Sequence, residues 1–368
     1  MSGHKGRLTI DLAALSDNYR MLSQKIGPSC EASAVVKANG YGLGVERIAP
    51  ALYHAGARSF FVATVEEGEV LRNALPKGDI YILNGFSTHE RKLYHQYQLS
   101  PVLNSLYDIE QYARFSSDME KTLPALIHVD TGMNRLGLEQ PEVEFIGRDP
   151  AILDGIDVQY VMSHFCSSEQ PSNPSNRRQY DLFHRLCQKL EAGKTAFKKS
   201  ICNSGGIFAD DTYHLDLVRP GIALYGGNPS DEDVNPMSQL VSLDVPILQI
   251  KSVKSGDFCG YNETYRFDKN SRIAILSIGY ADGVSRYLSN QGALYYKGYN
   301  LPIRGRVSMD LIICDLSGVA ECDMPAIGDM VEVLGGHQTI DDLAQSAGTI
   351  PYEILTSLGD RYARLYRE

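Results

Sequence analysis

Residues 34–62 read AVVKANGYGLGVERIAPALYHAGARSFFV. The β-branched run Ala34-Val35-Val36 predicts a strand. It ends in Lys37 and a glycine-rich turn, Gly40-Tyr41-Gly42-Leu43-Gly44. VERIAPALYHAG then places apolar residues at helical spacing and stops at Gly56. Phe60-Phe61-Val62 opens a second strand. Strand, turn, helix and strand make a β-α-β unit, and the sequence repeats it. Apolar runs return at Ile80 to Leu83, Val102-Leu103, Ala125 to Val129, Val158 to Met162, Ser200 to Cys202 and Leu215 to Val218. Helical segments separate them. TVEEGEVLRNAL opens on Thr64, an N-cap, with carboxylates in its first turn. NRRQYDLFHRLCQKLEAG is strongly amphipathic and is expected to stop at Gly193. Eight alternations predict an α/β fold, a (β/α)8 TIM barrel. An open doubly wound sheet fits less well, because no GxGxxG follows an early strand.

The pattern changes near residue 230. NPSDEDVNPMS is polar and rich in Pro, Asn and Asp, so it predicts a linker. Beyond it, β-type runs span Val245 to Val253, Ile273 to Ile278, Leu311 to Cys314 and Met330 to Leu334. Helical patterns return in TIDDLAQSAG and PYEILTSLGDRYARLYRE. The expected division is a barrel over residues 1–232 and a mostly β-strand C-terminal domain over 233–368. A length of 368 residues suits two domains.

With 35 basic and 45 acidic residues the net charge is −10, and there is no long basic run. That argues against nucleic-acid binding. No apolar stretch reaches membrane-spanning length. The start, MSGHKGRLTIDL, lacks a secretory core, so a cytoplasmic location is expected. The seven cysteines form no CxxC pair. They are expected to be free thiols, with no metal site.

Barrel active sites lie at the C-terminal ends of the strands. Lys37 ends the first run. A lone lysine there is usually just solvated, and the glycines after it usually serve a tight turn. Ser204-Gly205-Gly206 follows the seventh run, and Arg219-Pro220-Gly221-Ile222 closes the eighth. Loops in these two places often bind phosphate. A closed barrel sets strand eight beside strand one, which places a primary amine next to that cradle. The combination points to Schiff-base chemistry with a phosphorylated cofactor or a phosphorylated carbonyl substrate. Arg219 would ordinarily be salt-bridged, and His164 could equally be a core residue. Tyr261 and Tyr280, read alone, are surface tyrosines beside turns.

The motif AVVKANGYGLG resembles the pyridoxal-phosphate lysine signature of bacterial alanine racemases. The likeness continues in order through DTGMNRLG, MSHF, CNSGG, LVRPGIALYG, the Tyr261 segment, GYADGVSR, GRVSMDL and PYEILTSL. The resemblance implies that Lys37 holds pyridoxal 5'-phosphate covalently and serves as one base. It makes Tyr261 the second base, supplied by the partner subunit of a homodimer. It implies that Arg219 faces the pyridine nitrogen, with Tyr41, Ser204, Gly221, Ile222 and Tyr352 around the phosphate. Arg135 and the backbone at Met309 become the substrate's carboxylate contacts, and His164 links Tyr261 to Arg219. Tyr280 and Tyr352 would narrow the entrance. Four positions depart from the usual pattern. His128 stands where many members carry a lysine that becomes carbamylated. Gly40 replaces Ala, Leu43 replaces His and Ser308 replaces Cys.

The chemistry supports the same roles. Racemisation takes the Cα proton from one face and returns one to the other, which two bases on opposite faces do without turning the substrate. An arginine at the ring nitrogen does not give up its proton, since guanidinium groups ionise above about 12. That limits transamination, whereas a carboxylate there would favour it. The implied activity is interconversion of L- and D-alanine, for peptidoglycan or for alanine catabolism. The main rival is a broad-specificity amino-acid or serine racemase of the same fold. A Schiff-base aldolase would not need Tyr261, and a cofactor carrier would not need the second domain.

Overall fold

The computed structural model describes residues 5–191, 196–231 and 234–368. The expected helix stop at Gly193 and the expected domain boundary at 232/233 lie outside these residues. The chain forms two compact units.

The first unit, Leu15–Ser238, holds the α/β alternation. Seven parallel strands form a curled, TIM-like sheet in sequence order: Ala34–Val35, Ser59–Val62, Asp79–Ile82, Ser100–Leu103, Leu123–His128, Ile156–Met162 and Lys199–Ser200. All eight runs read from the sequence fall on strands. The eighth, Leu217–Val218, pairs in parallel with Glu31–Ala32, just before the first strand. Its flanks bond the seventh strand's edge, with Asp216 N–H donating to Lys199 C=O at 3.1 Å and Arg219 N–H to Cys202 C=O at 2.9 Å. These bonds close the ring. Both faces of such a sheet are covered, so its strands are mostly buried, as in Ser59–Val62, where all four residues are buried. Phe60, Phe61, Ile80, Val102, Leu126 and Val161 are fully sealed.

Two of the helices begin and end where the sequence places them. Val45–Ala55 is closed by Gly56. Val65–Ala74 is capped by the Thr64 hydroxyl, which accepts from Glu67 N–H at 3.3 Å. Pro174–Leu190 starts two residues before the expected Asn176, because Asn173 is the N-cap and Pro174 suits the first helical turn.

The second unit comprises Met1–Ala14 with Gln239–Glu368. Its spine is the 13-residue strand Val241–Val253, which pairs antiparallel with Arg7–Asp11, Met330–Leu334 and Ser271–Leu276. The hairpin Ala293–Tyr296 and Tyr299–Pro302 turns through Lys297 and Gly298, both at positive φ. One expectation fails. PYEILTSLGDRYARLYRE is helical only over Pro351–Thr356, and Ala363–Arg367 is a strand. It pairs in parallel with Arg7–Asp11, a partner more than 350 residues away. The short run has no strong local period, so this remote pairing decides its state.

Candidate active site

The barrel unit gathers most of the candidate residues at the C-terminal ends of its strands. The turn after Lys37 is left-handed: Ala38, Asn39, Gly40, Tyr41 and Gly42 have φ of 52°, 55°, 63°, 54° and 79°. Three of these residues carry a Cβ, at a cost of roughly 1–2 kcal/mol each. Side chains fix the turn. Glu67 Oε1 accepts from Ala38 N–H at 2.7 Å, and Asn39 Oδ1 accepts from Val45 N–H at 2.9 Å. Backbone strain held in place by its surroundings belongs to functional sites, and here it directly follows Lys37. Burial and the Arg135 charge lower the Lys37 pKa, with Glu67 opposing them.

Tyr41 is buried and stacks on Tyr225 with ring centroids 4.4 Å apart. Its hydroxyl lies against Gly221, where an added Cβ would overlap it. Ser204 Oγ accepts from Gly221 N–H at 2.9 Å and from Ala223 N–H at 3.3 Å. Tyr41, Ser204, Gly221 and Ile222 therefore surround one small space, floored by a glycine that cannot be replaced without moving Tyr41.

Arg219 is 4% exposed, and no acid pairs with it among the described residues. It donates to Ser200 Oγ, to the Ser163 carbonyl and, at 3.4 Å, to His164 Nδ1. Burial lowers its pKa to about 10, so it stays charged near neutrality. Its Nε has no protein partner among the described residues and is not among their sealed, unpaired atoms. Because arginine can only donate, His164 Nδ1 is an acceptor, and the ring carries its proton on Nε2. Burial first, then the charges of Arg219, Arg135, His128 and Lys37, keep His164 well below its ordinary pKa. Five basic side chains thus act on one another with few acids to balance them, which favours an anionic ligand.

The second unit carries the remaining candidates. Tyr261 is 70% exposed on the turn Tyr261–Glu263, introduced by Gly260 at φ 71° and followed by Asn262 at 61°. Tyr280 and Met309 lie on adjoining turns: Tyr280 N–H donates to Ser308 C=O, and Ala281 N–H to Met309 C=O, both at 3.0 Å. The Met309 N–H has no protein partner among the described residues. Tyr352 is half-buried on Pro351–Thr356.

Several supporting residues were not legible in the sequence. Asp282 is buried and accepts from Arg361 at 2.6 and 2.7 Å and from Gly279 N–H at 2.9 Å. Arg361 also reaches Asp310 at 2.7 Å, which ties the Tyr280 turn to the Met309 turn. Gln179 Nε2 donates to Thr131 Oγ1 and to the His164 carbonyl, and its Oε1 accepts from Cys166 N–H. Asn104 bonds His128. Nothing in the local pattern marks these residues, since their partners are remote in sequence. The cysteines are all free, and no group of metal-ligating side chains occurs among the described residues.

Residues 10–229 match the family model described as alanine racemase, N-terminal domain, and residues 240–366 match alanine racemase, C-terminal domain. The chain belongs to the alanine racemase family. The catabolic alanine racemase of Agrobacterium fabrum is 44% identical over 365 residues, covering 99% of this chain and 92% of that protein. The alanine racemase of Rhizobium meliloti is 43% identical, covering 98% and 96%. The crystal structure of the Bartonella henselae alanine racemase, with covalently bound pyridoxal phosphate, superposes with a TM-score of 0.93 at 42% identity over 99% of each chain.

Proposed function

We propose that this protein is a pyridoxal-phosphate-dependent alanine racemase that interconverts L- and D-alanine with Lys37 and Tyr261 as its two bases. The observation that carries the reading is the buried, acid-free Arg219. Its donor Nε is open on the same strand ends that carry Lys37 and the Gly221 cradle. A cofactor with an aldehyde, a phosphate and a basic ring nitrogen needs an amine, an anion cradle and a ring partner. The residues present fit all three. Lys37 would hold the aldehyde carbon, and Tyr41, Ser204, Gly221, Ile222 and Tyr352 would surround the phosphate. Arg219 would face the ring nitrogen. When bound, pyridoxal phosphate spreads the electron pair left on Cα when the proton departs.

The chain's own residues do the rest. Lys37 Nζ holds or accepts a proton on one face of Cα, and Tyr261 Oη does so on the other. Over one turnover the two exchange protonation states, and no redox change occurs. Lys37's lowered pKa moves it toward its working range. His164, with its proton on Nε2, is suited to donate to the Tyr261 oxygen. Arg135 and the free Met309 N–H would hold the substrate carboxylate. Tyr280 and Tyr352 would narrow the entrance for a small side chain, which favours alanine over the broad-specificity alternative. The proposed organisation is a cofactor-binding barrel over 1–232, of which Arg7–Asp11 pairs with strands of the second unit, and a C-terminal domain over 233–368 that delivers Tyr261 to the partner's barrel in a homodimer. No helix among the described residues is long and apolar enough to cross a membrane. We place the enzyme in the cytoplasm, supplying D-alanine to peptidoglycan or feeding alanine catabolism.

Borohydride reduction and a chiral assay test the reading. The purified protein should be yellow and lose that colour on reduction, with the label fixed on Lys37. Chiral chromatography over a panel of L-amino acids should show alanine as the preferred substrate. A protein that stays colourless with added pyridoxal phosphate would overturn the cofactor assignment. Equal rates on several amino acids would favour the broad-specificity reading.

A further inference from the structure

A cleft of about 490 Å³ lies on the barrel unit, between the helix Pro174–Leu190 and the loops that follow the strands Leu123–His128 and Ile156–Met162. One wall is a helical stripe. Ser175, Arg178, Leu182 and Arg185 line it at the three- and four-residue spacing that keeps side chains on one face. Gln179 joins this wall to the loops. Its Nε2 donates to Thr131 Oγ1 at 3.2 Å and its Oε1 accepts from Cys166 N–H at 2.9 Å. None of the residues assigned above to the cofactor or the substrate lines the cleft.

The charge on this helix is unevenly spent. Of its arginines and lysine, Arg177 pairs with Asp181 at 2.9 Å and Lys189 pairs with Glu144. Arg178 and Arg185, the two that line the cleft, have no acid partner among the described residues. Asp181 also lines the cleft, but Arg177 already engages its carboxylate. Two uncompensated guanidinium groups thus face one cavity in a chain whose net charge is −10. Seven residues of helix rise about 10 Å, so the two arginines stem from points about that far apart, with apolar Leu182 between them. Ser175 adds a buried hydroxyl with no partner among the described residues.

We propose that this cleft is a binding site for a linear dicarboxylate, whose two ends meet Arg178 and Arg185 and whose apolar middle crosses Leu182. Arginine presents a planar fork of donors that matches a carboxylate, and two such forks set apart along a helix match two carboxylates set apart along a chain. The leucine between them covers methylene groups, which favours an elongated ligand over a compact one. Cys166 is exposed and lines the same cleft, so a seated ligand covers its thiol. The site goes beyond the racemase reading and does not depend on it.

Calorimetric titration of the full-length protein with suberate, a linear dicarboxylate, tests the proposal. Binding should be saturable with one site per chain. Arg178→Ala and Arg185→Ala should each weaken it about tenfold, equivalent to about 1.4 kcal/mol. Both side chains are exposed, so the melting temperature should not move. Lys189→Ala removes a charge from the same helix outside the cleft and should change the affinity less than about twofold. Pyrophosphate, a compact anion, should bind about tenfold more weakly than suberate. A second readout needs no variant. Saturating suberate should slow alkylation of Cys166 by iodoacetamide, read by peptide mass spectrometry, and leave the exposed Cys322 unaffected. Absence of saturable suberate binding would overturn the proposal, as would an affinity that neither arginine substitution changes. Pyrophosphate binding as tight as suberate would overturn the dicarboxylate assignment in favour of a phosphate ligand. Equal slowing at both cysteines would place the bound suberate elsewhere.

Discussion

The Tyr41 hydroxyl occupies the space that a side chain on Gly221 would need. This single contact fixes the size of the cradle proposed for the cofactor phosphate. Gly221→Ala should therefore displace the Tyr41 ring from its stack on Tyr225 and enlarge or block the space. The expected result is at least about tenfold weaker pyridoxal-phosphate binding, equivalent to about 1.4 kcal/mol. Titration of the apoenzyme by absorbance measures it. Adding Tyr41→Phe should relieve the overlap but not restore the lost hydroxyl, so the two changes should be non-additive.

Arg219 makes a different demand. Three of its Nη hydrogens go to Ser200, Ser163 and His164, and its Nε remains for a ligand. Arg219→Glu puts an anion where the ring nitrogen would sit and should favour its protonation. Racemisation should fall by about a hundredfold or more, the scale of losing one preorganised electrostatic partner. Release of pyruvate from alanine should rise at the same time. A coupled pyruvate assay beside the chiral assay reads both, and a fall without the rise would mean that Arg219 only supports the fold.

Much of this architecture was legible because it is local. The run 34–62 displays its strand, turn, helix and next strand in order, and Gly56 and Thr64 end and begin helices as their chemistry requires. Lys37, Ser204 and Arg219 could be placed because a closed barrel converts sequence order into spatial order. What the sequence hid is what depends on distant partners. Ala363–Arg367 is a strand only because Arg7–Asp11 lies beside it. Asn104 matters only because its amide meets His128, and Asp282 because Arg361 forks onto it. The left-handed turn at Ala38–Gly42 was also invisible, since only its glycines signal positive φ.

The buried histidines give the protein a pH dependence of defined sign. His128 is held down to about 4 and His164 well below its ordinary value, both chiefly by burial. Unfolded histidine takes up its proton near pH 6.5. As pH falls through that value the unfolded chain gains protons that the folded one refuses, so stability drops. The contribution of His128 is full above about pH 6.5 and lost as pH falls toward 4, on the order of 3 kcal/mol. The melting temperature should decline over pH 6.5 to 5, before most carboxylates titrate. His128→Gln should make that decline shallower. An equal slope in both proteins would show that His128 does not carry it.

The two bases sit in different units, Lys37 in Leu15–Ser238 and Tyr261 in Gln239–Glu368. Tyr261 is 70% exposed, which leaves its phenol available to another chain. If each active site takes Lys37 from one subunit and Tyr261 from its partner, two inactive variants should rescue each other. Lys37→Ala should abolish covalent cofactor attachment. Tyr261→Phe should keep the colour yet lose about a hundredfold or more in both directions, the usual yield of a positioned base. Mixing equal amounts, dissociating and reassociating gives half heterodimers. In each heterodimer, one site has both substitutions and the other has neither. Random pairing therefore restores about a quarter of the wild-type activity. Recovery near that level, rising with time of subunit exchange, supports a shared site. No recovery, with exchange verified by mass spectrometry, would mean that each subunit supplies both bases to its own site.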